Sequence, residues 1–152
     1  MSNHNSNQRH RALALSLVAC MCLACTGVHR NTARFLNDRH RSLLDTYVTA
    51  LRSGDLSVVP FAPNVTFQGP LSGGPLEGEA KVREFLAPVA QGVKDIRVDR
   101  YIVDGDFAAL VATLETKDGK VVPFCEVVQF SNQQIVRLRP YFDPRKLLAP
   151  AE

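Results

Sequence analysis

Residues 120–131 run Lys120-Val121-Val122-Pro123-Phe124-Cys125-Glu126-Val127-Val128-Gln129-Phe130-Ser131. Side chains on a strand alternate between its two faces, so Val122, Phe124, Glu126, Val128 and Phe130 share one side. All but Glu126 are apolar, which marks that side as the face a sheet packs against a core. Burying a carboxylate ionised and unpaired costs several kcal/mol or more. Glu126 must therefore bind a proton, find a partner, or line a cavity that something polar visits. The stretch predicts a half-buried strand with a pocket beside it.

Three further strand patterns surround it, at Asp95–Val103, Phe107–Thr116 and Ile135–Phe142. Asp104-Gly105 and Asp118-Gly119 are hairpin signals between them, so the second half of the chain predicts an antiparallel meander. On the last strand Val136, Leu138, Pro140 and Phe142 should face the core. Arg137, Arg139, Tyr141 and Asp143 then fall on the outer face, with Asp143 placed to cap a final turn after Pro144.

The first half reads as helix. From Thr32 to Ser53 the apolar residues Phe35, Leu36, Leu43, Leu44, Tyr47, Val48 and Leu51 recur at helical spacing, opposite Arg39, Arg41, Asp45 and Arg52. Gly54 stops this helix, Asp55 caps a short second one, and Pro60 closes it. Asn64–Gln68 predicts a strand. Gly69–Gly78, dense in glycine and proline, predicts an irregular flap beside the cavity, and it lacks the lysine of a phosphate-binding loop. Glu79–Gln91 returns to helical spacing, with Pro88 expected to bend or remove the last turn and Gly92 to stop it. The order is α+β: a curved antiparallel sheet covered by a long N-terminal helix and shorter helices, enclosing a conical cavity.

Charge narrows the function. Of the 18 basic residues only Arg9 and Arg11 lie in residues 1–27, which hold no acid, and the rest of the chain is within one charge of neutral against 15 acids. Basic and acidic residues interleave there, which argues against a nucleic-acid footprint. Residues 1–27 have the layout of an export signal: a basic stretch ending at Arg11, then the apolar run Ala12–Ala24, too short to span a bilayer. Within it Leu17-Val18-Ala19-Cys20 resembles a bacterial lipobox, making Cys20 a candidate lipidation site. The expected location is an exported, membrane-anchored one, or the cytoplasm if this segment is no signal. Residues 28–31 form a linker, 32–148 one domain and 149–152 a tail. Cys125 is the domain's only cysteine and all four histidines precede the sheet, so neither a disulfide, a Cys-His nucleophile nor a metal site is expected, and no cofactor.

The run Tyr47-Val48-Thr49-Ala50-Leu51-Arg52-Ser53-Gly54-Asp55-Leu56, then Phe61-Ala62-Pro63-Asn64-Val65-Thr66-Phe67 and Gly78-Glu79-Ala80-Lys81-Val82-Arg83-Glu84-Phe85, resembles the SnoaL-like branch of the NTF2-like superfamily. Steroid delta-isomerases and small polyketide cyclases are among its relatives. The resemblance implies a cone-shaped pocket for a small apolar molecule and a homodimer packed through the open sheet. It also implies that Tyr47 stands where the isomerases keep a tyrosine donor, and Glu126 where they keep a protonated acid. The isomerases' general base precedes a proline, and here Gly69 precedes Pro70.

The expected pocket residues are Tyr47, Phe67, Phe124, Glu126, Val128, Leu138 and Phe142, with Tyr47 and Glu126 as the candidate catalytic pair. They fit a protein that binds a small, mostly apolar ligand carrying a carbonyl or hydroxyl. They equally fit a proton-transfer isomerase, cyclase or lyase using Glu126 as acid or base. A third possibility is a non-catalytic, dimerising envelope module whose pocket its own side chains fill.

Overall fold

The computed structural model describes residues 34–148. Cys20 with the signal-like segment 1–27, the linker, and the tail 149–152 lie outside them. The chain divides into two units, Met1–Leu36 and Asn37–Glu152; all that follows concerns the second.

Helix α1 (34–53), which belongs to this unit from residue 37 on, buries His40, Leu44, Tyr47, Val48 and Leu51 along one stripe, because residues three and four apart share a helix face. Gly54 ends it at φ +79, a left-handed cap that glycine adopts without steric cost, and its N–H donates to Ala50 O at 2.9 Å. The Asp55 carboxylate then accepts from Ser57 N–H at 3.0 Å and caps a 3₁₀ turn, Leu56–Val58. Strands β1 (Phe61–Phe67) and β2 (Leu76–Glu77), helix α2 (Glu79–Gly92), strands β3 (Val93–Asp104), β4 (Phe107–Thr116), β5 (Val121–Ser131) and β6 (Gln134–Tyr141), and helix α3 (Arg145–Leu148) follow.

The six strands form one curved sheet in the order β2-β1-β6-β5-β4-β3. The meander β3 to β6 is antiparallel throughout. One pairing departs from the antiparallel expectation: β1 lies parallel to β6. Bulges interrupt the β3/β4 and β5/β6 ladders, and an extra residue on one strand of a pair sharpens its bend.

Three local expectations are corrected. Pro88 leaves the last turn of α2 in place: the helix runs on to Gly92, and Pro88 and Glu84, the residue whose carbonyl loses its helical donor, are both exposed. Val136 does not face the core: Gln129 pairs with Arg137 but Phe130 with Ile135, so Val136 is the extra residue of a bulge and Ile135 takes the core position. The Gly69–Gly78 stretch is not wholly irregular. Its end, β2, pairs with Thr66 and Phe67, and Ser72 Oγ accepts from Gly69 N–H at 3.1 Å and donates to Gly74 O at 2.7 Å.

The inner face of the sheet, with Leu110, Val128, Phe130, Ile135 and Leu138 fully buried, shares one core with the α1 stripe. A second brace joins the 3₁₀ turn to α2. The Arg83 guanidinium donates to Leu56 O, to Val59 O at 2.8 Å and to Glu79 Oε1 at 2.7 Å, and it lies 4.9 Å over the Phe61 ring. On the outer face Arg137, Arg139 and Tyr141 are exposed, and Asp143 caps α3 by accepting from Arg145 N–H at 3.1 Å.

Candidate functional site

Glu126 sits mid-strand on β5, opposite Leu110 of β4 and Pro140 of β6, and only 2% of it is exposed. Strand register thus surrounds it with groups that cannot donate to a carboxylate side chain. Its one side-chain partner comes from α1: the Tyr47 hydroxyl, itself buried, donates to Glu126 Oε1 at 3.4 Å. That distance is long for an O–H···O bond, so the contact is weak. Among the described residues no fully buried side-chain nitrogen or oxygen lacks a partner. Glu126 Oε2, which has no protein partner there, is therefore not sealed off. It opens on a cavity of about 110 Å³.

Apart from Tyr47 and Glu126, the described lining is apolar. This sets the electrostatics. Burial pushes the Glu126 carboxyl up to about 8, against the smaller opposing pull of the Tyr47 hydrogen bond. Burial, then the neighbouring Glu126, hold the Tyr47 hydroxyl well above the usual tyrosine range. At pH 7 the pair is mostly neutral, with Tyr47 O–H directed at Oε1 and the Glu126 proton free to point from Oε2 into the cavity. Such a carboxyl is a hydrogen-bond donor at neutral pH and an anion at alkaline pH.

Of the residues expected at the pocket, the structure brings Tyr47, Phe67, Phe124, Glu126 and Phe142 together. Val128 and Leu138 are not with them. They pair across β5 and β6 and are fully buried in the core, outside the cavity lining. The sequence pattern missed the walls supplied by other elements: Phe85, Leu86 and Val89 of α2, Leu71 of the glycine-rich loop and Leu147 of α3. The amphipathic spacing of α2 carried a signal for the first three; Leu147 sits in a four-residue helix too short for a periodic signal.

Gly69 also lines the cavity, and its role is steric. It is not among the positive-φ residues; a Cβ there would stand 2.8 Å from Pro140 Cγ and 3.2 Å from Phe67 Cε1. His40, buried at helical spacing with Leu44 and Tyr47, also escaped the sequence analysis. Its ring stacks on Phe130 at 4.3 Å and its Nδ1 donates to the Gly105 carbonyl at 2.9 Å, apart from the cavity. Among the described residues no three metal-ligating side chains converge.

A family model described as Domain of unknown function (DUF4904) matches residues 36–152. The chain belongs to that family. No curated protein matches it by sequence. Solved structures show that the fold of this DUF4904 chain is NTF2-like. An NTF2-like protein of unknown function from Cytophaga hutchinsonii is 23% identical over 72% of this chain and 94% of its own, with a TM-score of 0.62. A protein from Jannaschia sp. attributed as a SnoaL-like polyketide cyclase is 16% identical over 76% and 93%, TM-score 0.65. A hypothetical protein of ketosteroid isomerase-like fold from Catenulispora acidiphila, solved in complex with trimethylamine, is 15% identical over 72% and 91%, TM-score 0.60. At these identities the likeness carries the fold alone.

Proposed function

We propose that this DUF4904 protein binds a small, mostly apolar molecule carrying a carbonyl or hydroxyl, with Glu126 and Tyr47 as its polar contacts. The observation that supports this is a carboxyl oxygen opening on an otherwise apolar cavity. A binding site of this kind needs walls that favour the body of the ligand and few placed polar groups that orient it. With Glu126 protonated at neutral pH, Oε2–H donates to a ligand oxygen, and Tyr47 steadies the acceptor edge of the same carboxyl. The volume sets the scale: about 110 Å³ is somewhat smaller than the roughly 150 Å³ cavity that accepts benzene, so the enclosed part of a ligand is at most about one ring and a fused-ring steroid is too large to be enclosed. We extend the proposal to a homodimer through the outer sheet face, where Ile102, Phe107, Val121 and Tyr141 are exposed.

Proton-transfer catalysis is the second proposal. A carboxyl titrating near 8 exchanges its proton readily at working pH, as a general acid or base must. Tyr47 is the only other titratable side chain lining the cavity among the described residues. Binding is tested by titrating the purified protein with cyclohexenone while following the Glu126 side-chain carboxyl by carbon-13 NMR. Saturable perturbation of that resonance is the expected result, with weaker binding by Glu126→Leu, which removes the donor, read on the ligand's own resonances; no perturbation at millimolar ligand would refute the proposal.

A further inference from the structure

We infer that the cavity also takes a small alkylated ammonium ion, with Glu126 as its counter-ion and the surrounding rings as its cage. The inference goes beyond the ligand class proposed above and rests only on the same cavity being open to ligands. Its first support is an imbalance of charge. No arginine, lysine or histidine stands among the described lining residues. The groups packed against Glu126 are Leu110 on β4, Pro140 on β6 and Tyr47 on α1, while α2 and α3 bring only apolar side chains to the cavity. Tyr47, the one titratable group against it, holds Oε1 and leaves Oε2 facing the space. Once ionised, Glu126 has no cation beside it among the described residues, and a buried unpaired charge is strongly unfavourable. A ligand cation removes that deficit.

The second support is the wall. Tyr47, Phe67, Phe85, Phe124 and Phe142 all line the cavity. Aromatic faces attract cations through the ring quadrupole, and the attraction is greatest where water is excluded. An ammonium rich in N–H needs acceptors on every side, which these walls lack. Alkyl groups remove that need, because each methyl presents apolar surface to apolar surface. The space of about 110 Å³ suits a trimethylammonium group and excludes larger fused-ring cations. An anion is disfavoured by the same carboxyl.

The test compares choline with 3,3-dimethylbutan-1-ol, its uncharged carbon isostere, by calorimetric titration at pH 6 and pH 9. Choline does not titrate in this range, so its apparent affinity follows the ionised fraction of Glu126. With the carboxyl titrating at about 8, that fraction rises about 90-fold between the two pH values. Choline should tighten by tens of fold and the alcohol should not, and Glu126→Gln should bind choline no better than the alcohol. Choline affinity that is flat with pH, or an alcohol that binds as tightly at pH 9, would overturn the inference without any variant. Failure of choline alone, with cyclohexenone or the alcohol still binding, sinks the ammonium site and leaves the proposed function standing. Failure of all three ligands sinks both.

Discussion

Replacing Glu126 by glutamine should change how stability depends on pH more than stability itself. The wild-type carboxyl titrates at about 8 when folded against an ordinary value of 4.5. Below 4.5 both states are protonated and the group is neutral toward folding. As pH rises the unfolded chain ionises first, so folding must hold a proton that the unfolded chain releases, and stability falls until the folded carboxyl also ionises near 8. One pKa unit corresponds to about 1.36 kcal/mol, which gives a loss of roughly 3 to 4 kcal/mol between pH 5 and pH 8, most of it already present by pH 7. Glutamine has no such loss. Its amide brings donors that the apolar walls leave poorly satisfied, at a cost of about 1–2 kcal/mol. The variant should thus be slightly less stable than wild type at pH 5 and as stable or more so at pH 7 and 8. Urea denaturation of both proteins at pH 5, 6, 7 and 8 reads the difference directly. Parallel stability curves across that range would refute the reasoning, because they require Glu126 to titrate alike in the folded and unfolded states.

Gly69→Asp should lower the melting temperature, since its Cβ would meet the Pro140 ring at 2.8 Å and overpacking of this kind costs about 1–3 kcal/mol. Restoring an acid there should not confer isomerisation of a 3-ketosteroid, assayed by ultraviolet absorbance of the conjugated product; an unchanged melting temperature together with turnover would show that Pro140 yields. Arg83→Lys should destabilise the fold by about 1.5–3 kcal/mol, because an ammonium cannot reproduce the fork that reaches Leu56 O, Val59 O and Glu79 together. Urea denaturation checks the size, and faster amide exchange at Val59, whose N–H donates to Leu56 O, checks the place; a loss under about 0.5 kcal/mol would contradict the brace.

Much of the architecture was legible because the signals are local. Alternation from Val122 to Phe130 depends only on the strand repeat, and the burial of Val122, Val128 and Phe130 with Glu126 follows it. The α1 stripe, its glycine stop and the Asp55 cap likewise depend on neighbours a few residues away. Where those local rules met a ladder irregularity they failed, as at Val136, because the extra residue of a bulge breaks the alternation and gives the core position to Ile135, while Leu138 and the residues after it keep the faces that alternation assigns.

What the sequence determined by itself was the kind of surface each element presents: an acid on a core face, a tyrosine on an apolar helix stripe, and an α+β order of elements. These follow from side-chain periodicity along one segment at a time. Only the tertiary structure decided that Tyr47 and Glu126, 79 positions apart, meet at 3.4 Å. It alone placed the end of the cavity before Val128 and Leu138, built its walls from α2, α3 and the Leu71 loop, and set Gly69 against the Pro140 ring. The physical reason is that a cavity is the space left between elements. Its boundary and the desolvation that raises Glu126 are set by how the elements pack, which no single stretch of chain contains.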